Sequence, residues 1–160
     1  MKGVKGWTIA LILLWFAGAF QLAVAYQISA AGISPDFPLI VIVTVGLFST
    51  RRSGAIIGFL AGAIHGAVVG GHMAAYTVTR TVLGFLVGWF AGMEFEGNVV
   101  VAFIVTAAAT ICTQFTFLLL NPSGSILPAV LATIGSAMYN GVLAIPIYAL
   151  LKKVLDSPRR

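Results

Sequence analysis

The chain has 160 residues, of which 60% are hydrophobic and 8% charged, and its mean hydropathy is +1.07. Soluble domains carry about 25% charged residues, so composition excludes a water-soluble fold and implies an integral membrane protein. The formal net charge of +5 would suit a nucleic-acid binder, but eight of the nine basic residues lie in the tails and one short loop, where they orient helices and meet anionic lipid headgroups; no nucleic-acid partner is expected.

The apolar runs are about twenty residues long, which matches transmembrane helices and not the roughly ten-residue alternating strands of a barrel. Read in order they predict an all-α, six-helix bundle, a single transmembrane domain over residues 1–160, with helices at about 7–26, 35–50, 53–69, 73–93, 99–120 and 126–151. Lys2 and Lys5 precede the first run, and Ala23-Val24-Ala25 follows it, which also suits a cleavable signal peptide. Because apolar character continues to Ala31, a retained first helix is the reading adopted.

Ser34-Pro35-Asp36 opens the second helix, with serine before proline and an acid in the first turn, where exposed amides and the helix dipole favour it. Its fifteen residues up to Thr50 rise about 22 Å, less than the roughly 30 Å hydrocarbon core, so Asp36 should lie at depth and need a partner.

The third and fourth helices carry a glycine pattern. Gly54, Gly58, Gly62, Gly66 and Gly70 recur every fourth residue, and Tyr76, Arg80, Gly84, Gly88 and Gly92 continue that spacing after the Gly70-Gly71-His72 turn. Glycine is a poor helix former, so a helix keeping so many is expected to gain from close backbone approach along a packing seam. Arg80 falls about 12 Å inside its helix, at a depth similar to Asp36, which predicts an ion pair within the bundle serving as structural glue or as a ligand contact. His65 is expected to bond a backbone carbonyl or a threonine.

Glu94 and Glu96 form an acidic turn. The fifth helix presents Thr106, Thr110 and Gln114 on one row, able to bond a neighbouring helix. The lone Cys112 reads as a small core hydrophobe. Asn121-Pro122-Ser123-Gly124-Ser125 is a turn, and the sixth helix holds Pro146, where a kink is expected. Lys2, Lys5, Arg51, Arg52, Lys152, Lys153, Arg159 and Arg160 all fall on one side of this arrangement, which puts both termini in the cytoplasm. No catalytic motif, metal-ligand spacing or cofactor fingerprint is present, so an enzyme is the weakest class.

Several short pieces in order resemble the rod-shape-determining membrane protein family MreD: Gly32-Ile33-Ser34-Pro35-Asp36, Gly58-Phe59-x-x-Gly62, Gly84-Phe85-Leu86, and Tyr139-Asn140-Gly141 followed by Pro146 and Tyr148. The family's third helix usually carries an aspartate where this chain has Gly66, beside His65. The resemblance implies a six-helix bundle similar to the substrate-binding S components of energy-coupling-factor vitamin transporters. It further implies a non-enzymatic scaffold in the bacterial inner membrane, bound to the bitopic protein MreC and acting with the MreB filament and peptidoglycan synthases in lateral wall growth. The alternative is a transporter's substrate-binding subunit, which fits the helix count and the Ala19-x-x-x-Ala23 row. Its outward polar groups would be Gln27, Asp36, His72, Thr77, Arg80 and Asn121.

Overall fold

In the computed structural model, residues 4–29, 33–93, 97–120 and 126–155 are described. Glu94, Glu96, Asn121 with the rest of its turn, Lys2, Arg159 and Arg160 lie outside them. The described residues form α1 (Val4–Ala23), α2 (Phe37–Gly46), α3 (Arg51–Val69), α4 (Met73–Ala91), α5 (Val99–Leu120) and α6 (Ile126–Leu155), with no extended sheet among them. All but α2 are long and apolar enough to cross a membrane. Large apolar side chains such as Leu11, Trp15, Val78, Val82, Ile104 and Leu131 are exposed on the perimeter, as they must be where the surrounding solvent is lipid.

The second helix departs most from expectation. It has 10 residues rather than fifteen, and Asp36 is its N-cap instead of a first-turn residue: the carboxylate Oδ1 accepts from Leu39 N at 2.9 Å. Proline occupies the first turn, where its missing N–H is no loss. The run Ile40-Val41-Ile42-Val43-Thr44-Val45 would favour a strand in water. It is helical here because a helix satisfies its own backbone in an apolar interior, and every residue from Pro38 to Gly46 is buried. The helix stops where Phe48 N bonds Val45 O at 3.1 Å and Ser49 N bonds Gly46 O at 2.9 Å, a tight turn that hands over to Thr50.

Thr50 then caps α3, so Arg51 and Arg52 form its first turn. Cations are disfavoured at that end of a helix dipole, but both are exposed and Arg51 lies over the Trp89 ring at 5.3 Å. The other differences are shifts of a few residues: α1 begins and ends three earlier, α4 ends at Ala91, and α6 runs to Leu155 with Pro146 inside it. Cys112 is exposed on α5, not in the core.

Two antiparallel pairs, α3 with α4 and α5 with α6, make the closest helix contacts, and α2 touches all five other helices. The core around it is built from Leu39, Ile42, Val43 and Val45 of α2, with Ala10 and Leu14 of α1 and Ile57 of α3. Lys5 Nζ donates to Val154 O at 3.1 Å and Lys152 Nζ to Gly97 O at 3.0 Å. The start of α1, the end of α6 and the α4–α5 connection thus share one end of the bundle. An apolar cleft of about 260 Å³ lies between α1, α2 and α6.

Candidate functional site

The seam between α3 and α4 is backbone against backbone. A Cβ on Gly54 would strike the carbonyl oxygen of Gly84, one on Gly58 that of Arg80, and one on Gly62 would come within 2.6 Å of Tyr76 O. The contacts step up α3 and down α4 four residues at a time, and Gly66 against Met73 and Gly88 against Thr50 close the two ends. Two of the glycines expected in this row lie outside it. Gly70 is the left-handed C-cap of α3 (φ 72°) with open space around it, and Gly92, just past α4, has only its own helix nearby.

This register brings Arg80 to Asp36. Arg80 is buried, 2% exposed, and its Nη2 donates to Asp36 Oδ2. The same guanidinium sits over the Tyr76 ring at 5.4 Å. The backbone around Asp36 is held by two further side chains, Asn140 and Gln21. The Asp36 backbone N–H donates to Asn140 Oδ1 at 2.9 Å. Gln21 spans the residues on either side, accepting from Phe37 N at 2.9 Å and donating to Pro35 O at 3.2 Å. The Asn140 amide also donates to Thr110 Oγ1 at 3.2 Å, so α1, α4, α5 and α6 all converge on the start of α2.

His65 takes neither expected partner. Its Nδ1 faces Asp36 Oδ1 at 3.6 Å, too far for a hydrogen bond, and its ring lies 4.6 Å from that of Tyr76. Among the described residues, three buried side-chain polar atoms have no hydrogen-bond partner: His65 Nδ1, Arg80 Nη1 and Thr106 Oγ1 on α5.

Asp36, His65 and Arg80 form one side of a polar cavity of about 280 Å³ at the end of the bundle that carries the α3–α4 turn. Tyr76, stacked on Phe117 at 5.3 Å, walls another side. Gln21, Thr79, Thr113 and Gln114 supply further amide and hydroxyl groups. Of the outward polar residues named from sequence that fall among the described residues, only Asp36 and Arg80 line this cavity. Gln27 bonds its own helix at Ala23 O, Thr77 bonds Met73 O, and His72, in the left-handed conformation at φ 52°, sets its ring edge to Phe117. Ala19 and Ala23 are exposed on α1. Sequence reasoning missed Gln21 and Asn140 as site residues, although an amide inside an apolar span was a signal that could have found both. No cluster of metal-binding side chains occurs among the described residues.

A family model described as rod shape-determining protein MreD matches residues 1–156. The chain belongs to the MreD family and is a multi-pass membrane protein with a role in rod-shape determination. Comparison with curated proteins and with solved structures returned no match.

Proposed function

We propose that this MreD-family chain is a non-enzymatic scaffold of the bacterial elongation machinery. It is a single transmembrane domain in the inner membrane with both termini cytoplasmic, and it binds an MreC-like bitopic protein and supports lateral peptidoglycan synthesis with the MreB filament and wall synthases. The observation that carries this reading is the family match over essentially the whole chain. The architecture supports it in two ways. A backbone-tight seam and a clamp that ties α1, α4 and α6 to the start of α2 support a rigid body, and the perimeter offers large apolar side chains to membrane helices of a partner. In this reading the Asp36–Arg80 pair is internal glue.

Co-expression of the chain with an MreC-like partner tests the proposal. A complex of fixed stoichiometry should co-elute from detergent, and depletion of the chain should turn rods into spheres. A chain that elutes free of the bitopic protein, in cells that keep their rod shape on depletion, would overturn it.

A further inference from the structure

The cavity around Arg80 is more than glue requires. A pair serving only to join α2 to α4 would be expected to satisfy both partners, yet Arg80 Nη1 is buried and unpartnered, as is Nδ1 of His65 on α3. The guanidinium nitrogen can only donate, and a buried donor left unpaired is unfavourable unless something arrives to accept from it. Both atoms belong to residues that line a cavity large enough for a small molecule. Asp36, the remaining charged residue there, has a side chain 20% exposed, so the cavity is reachable.

We infer that this cavity is a binding site for a small, uncharged, ring-bearing molecule with a carbonyl or amide group. Three features fix that class. The charges of Asp36 and Arg80 already cancel, so an anion would add an uncompensated charge in a low-dielectric site, whereas a neutral carbonyl oxygen can accept from Nη1 without one. The other polar lining is amide and hydroxyl, from Thr113 and Gln114 among others, which pairs with an amide's own donor and acceptor. The Tyr76–Phe117 wall offers aromatic surface to a ring. The inference does not rest on the scaffold reading, since co-elution with a partner reports on that one and ligand binding on this one.

Benzamide and benzoate, nearly equal in shape and different in charge, are suitable probes for the purified full chain in detergent. Benzamide should raise the unfolding temperature saturably at millimolar concentration, and benzoate should bind more weakly. Arg80→Lys keeps a cation for Asp36 but loses the second edge of the guanidinium, and should lower benzamide affinity about tenfold. Should that variant fail to fold, Gln114→Leu, which leaves the ion pair intact, should also weaken benzamide. A saturable shift that is the same in both variants and the wild type, benzoate binding at least as tightly as benzamide, or no saturable shift with either probe would each overturn the inference.

Discussion

Replacing Gly58 with alanine addresses whether backbone approach holds α3 to α4. A Cβ there would lie 2.8 Å from the Arg80 carbonyl carbon and 3.1 Å from Thr81 Cα, with the Arg80 oxygen closer still. All are backbone atoms, so no side-chain rotation relieves the overlap and the helices must part. Each carbon pair in such a seam contributes about 0.1–0.2 kcal/mol, and a gap of about 0.5–1 Å forfeits a quarter to a half of that. The loss accrues over roughly three turns from Gly54 to Gly66 and is offset by the ~1 kcal/mol by which alanine outdoes glycine in a helix, so a net loss of about 1–3 kcal/mol, the usual range for overpacked cores, is expected. Two controls separate this from a general effect of removing glycine. Gly71 has nothing within 4 Å, so Gly71→Ala should be neutral. Gly70 is equally open but sits at φ 72°, so Gly70→Ala should lose about 1 kcal/mol to backbone strain alone. Equilibrium unfolding by sodium dodecyl sulfate titration in mixed micelles, followed by tryptophan fluorescence, gives the order. If Gly58→Ala unfolds with the wild type, or Gly71→Ala falls as far as Gly58→Ala, close approach is not what holds the hairpin.

Removing one partner of a buried ion pair costs about 3–5 kcal/mol. With the Asp36 side chain 20% exposed, Arg80→Ala should fall at the low end of that range, whereas exposed Arg52→Ala should stay within about 0.5 kcal/mol of wild type. Asp36→Asn keeps a competent N-cap but strands the arginine, so the double variant Asp36→Asn/Arg80→Ala should lose less than the sum of the single variants, and strict additivity in the same titration would refute the pairing. For orientation, single cysteines in a Cys112→Ser background serve: a membrane-impermeant maleimide should label Gly71→Cys in spheroplasts and Arg52→Cys only after permeabilisation. The reverse pattern would invert the topology.

Helix count and membrane class were legible because they rest on composition and run length, which lipid reads directly. The glycine spacing also carried the α3–α4 pairing, since a repeat of four on two consecutive helices fits one antiparallel register. What sequence could not supply was the extent of α2. Ile40 to Val45 look like any apolar span, and only the packing of the other helices around them shows that this helix is buried on every side and need not reach across a bilayer. For the same reason Asp36 and Arg80 could be matched by depth, but His65, Gln21 and Asn140 could not be assigned to them. Their contacts join residues far apart in sequence, as the 104-residue separation of Asp36 and Asn140 illustrates. Cys112 was misjudged on a soluble-protein rule, because a thiol facing lipid meets an apolar environment as fully as one in a core.

The seam and the polar site are one construction. In a membrane, lipid tails are as apolar as the helix faces, so helix association depends on close fit and a few polar contacts. The carbonyl that lies against Gly58 is that of Arg80 itself, so the register of the glycine seam sets the height at which the guanidinium leaves α4. On the other side Gln21 and Asn140 hold the backbone around Asp36 from α1 and α6. The two oxygens of Asp36 then do separate tasks: Oδ1 caps α2, and Oδ2 receives the arginine. A neutral asparagine could perform the first task but not the second. The acid at this position therefore answers to the seam more than to its own helix, and a seam opened at Gly58 should loosen the Asp36–Arg80 contact even with both residues intact.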